Sequence, residues 1–448
     1  MANPILPLWE YIPDGEPRVF GDRVYLYGSH DRVGSHLFCD YKLKVWSAPL
    51  NDLNNWTCHG DMLHTRPLEK SDIPWTDHEF YAPDVIEKDG KYYAYCYIVG
   101  AKGAVCVADR PEGPFKLLSN YRYAETTKVG DDGIFNDAGV LVDDDGKVYV
   151  YYGFTESNMN ELDPETMCDV IPASYMRPVI DDRNEVPEEQ RFFEASSPRK
   201  VGNTYYLIYS PRRGSRLAYA TSDSPRGPFT YRGYIVDNGV EFPGGNNHGS
   251  IANINGQWYV FYHRMTNNSV FSRRACVEKI NILPDGTIPP VEMTSLGFEE
   301  SLNPYVPVPA EIACVLVNGP YVIEKDIFTR LLTNVKKNSV IGYKYFDFGD
   351  DFHPEGLKLA LKTKGAGVRE SKVHVYIDDY PKAGAEFKGR EIGTVTVGLE
   401  DGAYKGDMEI VTGRHALFFV TDHESDGWPG SFFEDRPLFM LESFAFLK

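Results

Sequence analysis

The 448-residue sequence lacks the features of a nucleic-acid-binding or membrane-spanning protein. Its 46 Lys and Arg residues are outnumbered by 65 Asp and Glu residues, which gives a formal net charge of −19. A surface of this sign repels phosphate backbones, so a nucleic-acid partner is excluded. No apolar run approaches the roughly 20 residues that span a bilayer, so we expect no membrane partner either.

The N-terminal residues lack the basic and apolar stretches of a signal peptide. The seven cysteines are widely spaced, with no CxxC pair and no Cys/His cluster of the zinc-binding kind. An odd count in a chain of this length indicates reduced thiols rather than a disulfide framework. Both observations predict a cytoplasmic protein, although a secreted chain trimmed of its leader would show the same features.

Aromatic residues are abundant, at 14% of the chain, together with 40 Gly and 30 Pro. A turn glycine followed by an aromatic-rich alternating strand occurs at five positions: Gly21, Gly90, Gly146, Gly202 and Gly256. Each interval leaves room for about four strands, and helical periodicity is nearly absent. The pattern predicts an all-β fold in which residues 1–305 form a five-bladed β-propeller with aromatic rings packed between blades. A series of sandwiches or a solenoid is the alternative.

The strands that precede these turns lie closest to the axis of such a propeller, and each carries one polar residue at a similar depth. Counted back from the turn glycines, these residues lie six to nine positions upstream: Asp14, Asp84, Asp137, Glu194 and His248. A cap or side-chain turn explains any one of them singly. Because capping does not require equal depth in successive blades, we expect the five side chains to converge on one axial cavity.

Converging carboxylates in an aromatic-lined cavity suit glycoside hydrolysis, in which one carboxyl must be protonated and another ionised. Glu194 lies in an apolar run, so burial should raise its pKa and make it the acid. Asp14, beside a flexible glycine, is the expected base, and Asp137 is expected to keep Glu194 protonated. The sequence has no GxSxG elbow, P-loop, GxGxxG or HExxH motif that would support another chemistry.

The order and flanking residues of these positions resemble family 43 glycoside hydrolases over roughly residues 1–300. The resemblance rests on Tyr-Ala-Pro-Asp-Val at 81–85, Val-Asp-Asp-Asp-Gly-Lys at 142–147 and Asn-Asn-His-Gly-Ser at 246–250, together with the order of the acidic residues. It implies a five-bladed propeller that inverts the anomeric carbon. It also implies that Asp14 is the general base, Glu194 the general acid and Asp137 the residue that modulates the acid's pKa.

The resemblance further implies contacts with a sugar and with a metal ion. Arg264 resembles a sugar-contacting arginine, with a surface salt bridge as the alternative, and Tyr81 is expected to stack on a sugar face. His30 and Asp31 are expected at the pocket rim, with a role in a turn as the alternative. His248 matches a histidine that contacts a water-coordinated calcium ion in many members, and no organic cofactor is expected. Asp84 has no catalytic counterpart and is expected to be structural.

Residues 306–448 contain six or more alternating strands, which predict a β-sandwich. Segments at 373–378, 393–397 and 413–419 resemble family 6 carbohydrate-binding modules. The last strand lacks the asparagine that such modules use, and Trp428 is a candidate for sugar stacking or for a buried loop plug. The sandwich is therefore expected either to bind carbohydrate or to be a structural partner of the propeller.

The expected activity is that of an inverting, exo-acting glycoside hydrolase that releases terminal pentoses. The resemblance implies an α-L-arabinofuranosidase, a β-xylosidase or both, acting on arabinoxylan, arabinan or xylo-oligosaccharides of the plant cell wall. An endo-arabinanase, a β-galactofuranosidase and a non-catalytic carbohydrate-binding propeller are the alternatives. Inversion requires the Asp14 and Glu194 carboxyls to stand about 6.5–9.5 Å apart. The sequence does not indicate an oligomeric state.

Overall fold

The computed structural model describes residues 2–98, 103–120, 135–350, 356–365, 367, 369–423 and 435–447. In this part of the chain there is no α-helix, and the 3-10 turns are Leu68–Lys70, Pro172–Ser174 and Ala310–Ile312. No helix among the described residues is long and apolar enough to cross a membrane. The strands form five sheets of three or four antiparallel strands, followed by one large sheet. The predicted all-β fold, a propeller followed by a sandwich, is confirmed.

The five blades follow one another along the chain, and neighbouring strands within a blade are neighbours in sequence. Blade 1 contains Glu16–Phe20 (β1), Arg23–Gly28 (β2), Lys42–Pro49 (β3) and Thr57–His64 (β4). Blade 2 contains Phe80–Lys88 (β5), Lys91–Ile98 (β6), Ala104–Ala108 (β7) and Lys116–Asn120 (β8). Blade 3 contains Gly139–Val142 (β9), Val148–Tyr152 (β10) and Asn158–Leu162 (β11). Blade 4 contains Phe192–Val201 (β12), Thr204–Pro211 (β13), Arg216–Ser222 (β14) and Thr230–Asp237 (β15), and blade 5 contains Ser250–Ile254 (β16), Gln257–Thr266 (β17) and Ser269–Ile280 (β18).

Apolar side chains fill the wedge between each pair of adjacent blades. The second strand of every blade contributes a buried tyrosine to these wedges: Tyr27, Tyr95, Tyr151, Tyr209 and Tyr262. Burying one large apolar side chain contributes about 1.5–3 kcal/mol, so the aromatic surplus of the sequence stabilises blade-to-blade packing. The expected location of aromatic rings between blades is confirmed at these positions.

The N-terminal segment closes the ring between blade 5 and blade 1. The Asn3 side-chain nitrogen donates to Val277 O at 2.8 Å and to Glu278 Oε1 at 3.0 Å. Its side-chain oxygen accepts the Val277 N–H at 2.9 Å. Ile5 and Leu6 then pack in the wedge between the first and last blades. Asn3 therefore bonds the segment that precedes blade 1 to β18, the last strand of blade 5.

The large C-terminal sheet folds into two layers. Its strands are Val308–Pro309 (β19), Val315–Val317 (β20), Tyr321–Asp326 (β21), Thr329–Val335 (β22), Val340–Asp347 (β23), Leu357–Gly365 (β24), Ser371–Ile377 (β25), Arg390–Val397 (β26), Gly402–Met408 (β27), Arg414–Asp422 (β28) and Phe439–Leu447 (β29). The order is β20-β23-β28-β25-β26 in one layer and β27-β24-β29-β22-β21 in the other, with β19 beside β29. The rings of Tyr343 and Phe419 lie 4.8 and 5.0 Å from that of Phe444 across the layers. Trp428 lies outside the described residues.

Buried polar contacts connect the sandwich to the propeller. The Tyr11 hydroxyl donates to Glu324 Oε2 at 2.7 Å, and Arg330 contacts the same carboxylate at 2.8 Å. Arg274 of β18 pairs with Glu311 at 3.0 Å. An apolar core also runs without interruption from blades 4 and 5 into the sandwich. The two domains therefore pack as one unit.

Replacing Asn3 with Ala should lower the free energy of unfolding by about 2 kcal/mol or more, since each buried polar group left unpaired costs about 1–3 kcal/mol. Urea unfolding of the full chain measures the change. Asn54→Ala is the matched control, because Asn54 is exposed and its amide donates to Glu299 on the surface. We expect the control to stay within about 0.5 kcal/mol of the parent. Equal losses in the two variants would contradict the role given to Asn3.

Candidate active site

A cavity of about 380 Å³ is lined by residues from all five blades. It contains five of the residues singled out from the sequence: Asp14, Tyr81, Asp137, Glu194 and His248. Its other lining residues are Phe38, Tyr97, Asn136, Phe154, Phe193, Asn246 and Arg273. The volume falls in the range of about 300–1,000 Å³ that is typical of small-molecule sites. The convergence expected from the repeat is thus observed for four of its five polar residues, all except Asp84.

Left-handed backbone residues turn the inner strands where they reach the cavity. Asp14 and Asp137 have φ angles of 57° and 49°. Ala82 and Ala195, which adjoin cavity residues, have φ angles of 33° and 70°, and the strand register shifts at both places. A non-glycine residue in this conformation costs roughly 1–2 kcal/mol. Such strain is typical of functional sites, and a bulge redirects the side chains beside it.

Asp14 is buried beside a cation and a neutral imidazole. Arg273 Nη1 lies 2.9 Å from Asp14 Oδ1, and the Asp14 N–H donates to His263 Nδ1 at 3.3 Å. Burial is the largest influence on the pKa of Asp14 and raises it, but the charge of Arg273, together with His248, His263 and the Ser29 hydroxyl, outweighs burial, and the pKa lies below its ordinary value. Asp14 is therefore a carboxylate at neutral pH, as a general base must be.

Glu194 and Asp137 show the opposite shift. Burial and the negative charge of Asp14 raise the pKa of Glu194 to about 7, against a smaller opposing effect of Arg273. Burial and the charges of Glu194 and Asp14 raise the pKa of Asp137 well above its ordinary value. The Ala195 N–H donates to Asp137 Oδ2 at 3.2 Å, so Asp137 is bonded to the residue next to Glu194. The pair therefore retains a proton near neutral pH, as general acid catalysis requires.

Two histidines lie next to the carboxyls. His248 is 5% exposed, and its Nδ1 lies 3.8 Å from Asp14 Oδ1 and 3.9 Å from Asp137 Oδ2. His263, which the sequence reasoning missed, accepts the Asp14 N–H at Nδ1, so its proton lies on Nε2, 2.9 Å from Asn246 O. Burial and the charge of Arg273 lower the pKa of His263 to about 3. It therefore stays neutral and fixes the backbone of Asp14.

The donors around His248 do not fit a directly coordinated calcium ion. Calcium takes six to eight oxygen ligands, whereas His248 offers nitrogen and Asp14 Oδ1 is already paired with Arg273. Over the residues that the structure describes, no three His, Cys, Asp or Glu side chains are grouped so that they could hold a metal.

Arg273 is the main residue of the site that sequence reasoning missed. Its Nε and Nη2 donate to the two carboxylate oxygens of Asp31, each at 2.9 Å, and its Nη1 reaches Asp14. The guanidinium also lies 4.9 Å from the centre of the Phe38 ring. The available signal was a pair of adjacent arginines, Arg273 and Arg274, inside the alternating strand β18. Buried arginines need paired carboxylates, so that pattern pointed to internal ion pairs.

The structure corrects the places expected for Asp31 and His30. Asp31 is not at the rim: it is 2% exposed and lies beneath Arg273, which it orients. His30 does not line the cavity either, and its ring is held between Glu10 and Asp40. Neither side chain is in place to touch a sugar in the cavity.

Arg264 does not reach the cavity, so the sugar contact expected of it is also corrected. Its Nη2 donates to Thr294 O at 2.5 Å and to the Tyr262 hydroxyl at 2.7 Å. Side chains alternate between the two sides of a strand. Because the neighbouring His263 faces the axis, Arg264 must face the opposite side.

Asp84 has a structural position, as expected. Arg18 donates to both of its carboxylate oxygens at 2.6–3.0 Å, and the Val140 N–H donates to Oδ2 at 2.8 Å. A second buried pair, Arg199 with Glu16 at 2.6 Å, lies beside it. These charges join inner strands of four different blades, so they tie the propeller together around its axis.

Aromatic rings form the walls of the cavity. Tyr81 and Tyr97 meet edge to face, with ring centres 5.7 Å apart. Phe154, which is 54% exposed, lies 4.9 Å from Phe193 on another side. Apolar walls with a few convergent polar groups are typical of small-molecule sites. Only Tyr81 among these rings was anticipated; Tyr97 lies in β6, Phe193 in β12 and Phe154 in the segment after β10.

A family model described as Glycosyl hydrolases family 43 matches residues 1–288, more than half of the chain. A "Xylosidase/arabinosidase" from Thermoclostridium stercorarium is 37% identical, with 93% of this chain and 95% of that protein aligned. An "Arabinoxylan arabinofuranohydrolase" from Bacillus subtilis (strain 168) is 27% identical, with 88% of this chain and 83% of that protein aligned.

Solved structures share the same fold. A family 43 β-xylosidase/α-arabinofuranosidase from a compost microbial metagenome has a TM-score of 0.55 and 29% identity, covering 65% of this chain and 97% of its own. A Bacillus subtilis arabinoxylan arabinofuranohydrolase covers 100% of this chain and 97% of its own, with a TM-score of 0.54 and 24% identity. The likeness of the C-terminal sandwich to family 6 carbohydrate-binding modules stays a prediction. The chain itself belongs to glycosyl hydrolases family 43.

Proposed function

We propose that this hydrolase releases terminal pentoses by single displacement, as an α-L-arabinofuranosidase, a β-xylosidase or both. The observation that carries the proposal is that Asp14 and Glu194 line one cavity with different partners, so that the pKa of Asp14 is lowered and that of Glu194 is raised to about 7. Opposite shifts of two carboxyls are what acid and base roles at one pH require. The names of the Thermoclostridium and Bacillus relatives support arabinoxylan, arabinan or xylo-oligosaccharides of plant cell walls as substrates.

In the proposed reaction, Glu194 donates its proton to the glycosidic oxygen as the bond to the anomeric carbon breaks. A water molecule attacks that carbon from the opposite face and gives a proton to the Asp14 carboxylate. The leaving group departs as an alcohol and the sugar is released with inverted configuration. Asp14 then loses its proton to solvent and Glu194 regains one, which restores the enzyme. Asp137 is proposed to modulate the pKa of Glu194, and it accepts a hydrogen bond from the Ala195 N–H beside that residue.

A hydrated calcium ion beside His248 and a cytoplasmic location are further parts of the proposal. The support for the ion is the buried imidazole, whose Nδ1 faces two carboxylates without a hydrogen bond to either. The support for the location is the odd number of widely spaced cysteines in the sequence, which indicates reduced thiols. The acid and base steps above use the side chains of the chain alone.

The sugar is set by contacts worth about 1–3 kcal/mol, which is about 10- to 200-fold in rate. A panel of nitrophenyl arabinofuranoside, xyloside and galactofuranoside tests it. We expect the arabinofuranoside or the xyloside to be cleaved at least about tenfold faster than the galactofuranoside. A preference for the galactofuranoside would instead favour the activity in the name of another relative, a β-D-galactofuranosidase of Aspergillus niger that is 27% identical.

Glu194→Gln should lower kcat/KM about 10²- to 10⁴-fold for substrates with poor leaving groups, and much less for activated aryl glycosides. The parent enzyme should lose activity toward poor leaving groups as the pH rises through about 7, because the acid form of Glu194 disappears there. The variant should lack this alkaline limb. The measurement is the pH profile of kcat/KM with leaving groups of different basicity.

Glu87→Gln is the matched control for this substitution, because Glu87 is exposed on a propeller turn and accepts the Gly90 N–H. Its profile should match that of the parent. A Glu194→Gln enzyme that shows the same loss for good and poor leaving groups would sink the assignment of Glu194 as the acid.

A further inference from the structure

The imidazole of His30 lies between two carboxylates outside the cavity. Its Nε2 is 3.0 Å from Glu10 Oε1, and its Nδ1 is 2.9 Å from Asp40 Oδ2. The Glu10 carboxyl is fully buried, and the His30 and Asp40 side chains are 13% and 14% exposed. Both ring nitrogens are thus within hydrogen-bond distance of an acceptor in a largely dehydrated place.

This arrangement requires a doubly protonated ring. A neutral imidazole has one N–H and one lone pair, whereas an ionised carboxylate only accepts hydrogen bonds. Burial alone would raise the pKa of Glu10 and Asp40, but contacts with His30, helped by Lys44 at Glu10 and by the Tyr41 N–H and Lys42 at Asp40, keep both below the ordinary values. A neutral His30 would therefore point one lone pair at a carboxylate. Only the imidazolium satisfies both contacts.

The other charged groups around His30 are accounted for. Lys44 Nζ lies 3.0 Å from Glu10 Oε2, and the Trp46 indole donates to the same oxygen at 2.9 Å. Arg32 Nε lies 3.9 Å from Asp40 Oδ1. Lys42 also lies near Asp40. Two carboxylates and three other cations therefore surround the ring. Burial alone would lower the pKa of His30. The Asp40 and Glu10 oxygens in contact with the ring stabilise its charged form, and the pKa of His30 is raised.

His30 and Asp40 mark the two ends of a loop that builds the candidate site. Asp31 follows His30 and makes the bidentate contact with Arg273. Cys39 precedes Asp40, and its N–H donates to Asp31 Oδ1 at 3.3 Å. Phe38, in the same loop, lines the cavity under the guanidinium. The His30–Asp40 contact therefore closes the loop that orients the cation beside Asp14.

We propose that His30 is a positioning residue whose imidazolium clamps this loop, so that its deprotonation releases Arg273 from Asp14 and produces a second alkaline limb. The inference rests on the proposed function for its kinetic consequence. When the proton leaves, one carboxylate contact becomes repulsive and the loop ends separate. Asp31 then no longer holds the guanidinium against Asp14, and the Asp14 carboxylate loses the contact that fixes its position for proton abstraction. Activity should fall about tenfold per pH unit above this limb.

The protonation state is tested by nuclear magnetic resonance of the histidine rings in the full chain, with the His30 signals assigned from the spectrum of His30→Gln. We expect an imidazolium that persists at pH 7.5 and titrates above the usual value of about 6.5. A neutral His30 ring at pH 7 would overturn the proposal whether or not the enzyme is active. His374, whose ring meets one carboxylate on the sandwich surface, serves as the reference ring.

The kinetic consequence is tested with a dinitrophenyl glycoside, whose departure needs no proton from Glu194. The parent should still lose activity at alkaline pH. Asp40→Asn removes one carboxylate from the ring and should move this residual limb to lower pH, while His374→Gln should leave it in place. An unmoved limb in a folded Asp40→Asn enzyme, or no residual limb in the parent, would overturn the proposal. If no glycoside is cleaved, the proposed function fails, and the ring titration alone still decides the state of His30.

Discussion

Arg273 is the charge on which the candidate site depends. Its guanidinium is 2% exposed and lies 2.9 Å from both Asp14 and Asp31. A buried carboxylate without a partner takes up a proton rather than staying charged, so Asp14 remains ionised because this cation is beside it. The charge of Arg273 stabilises the ionised forms of Glu194 and Asp137 less than that of Asp14, and the pKa values of these two residues rise. One fixed cation thus divides three carboxyls into a base and a pair that holds a proton.

The repeated blades could be predicted from the sequence because the signal is local. A turn glycine such as Gly146 followed by alternating aromatics specifies one hairpin, and five hairpins at similar intervals specify the propeller. The depth of Asp14, Asp137 and Glu194 before these turns then placed them together at the axis. The ring closure by Asn3 could not be predicted, because its partners are more than 270 residues away in sequence.

The polar surroundings of the carboxyls were harder to predict, since they depend on which side of a strand a residue faces. A shift of one residue exchanges the two faces of a strand. On β17, His263 faces the axis, whereas the next residue, Arg264, faces the opposite side. Arg273 lies on β18, opposite β17, and reaches the cavity. His30 and Asp31 belonged to the right loop, but Glu10 and Arg273, which they contact, come from separate segments. Residue type and spacing therefore located the acids, whereas the residues that set their pKa values required the packed structure.

The roles of Asp14 as base and Glu194 as acid in a single displacement are the central claim about this enzyme. The most direct test is the configuration of the first product, followed by proton nuclear magnetic resonance during rapid hydrolysis of an activated pentoside. A single displacement releases the sugar with the opposite anomeric configuration to the substrate, before mutarotation mixes the two forms. We expect the inverted anomer to accumulate first. Initial release of the retained anomer would require a covalent intermediate and would contradict the roles assigned to both carboxyls.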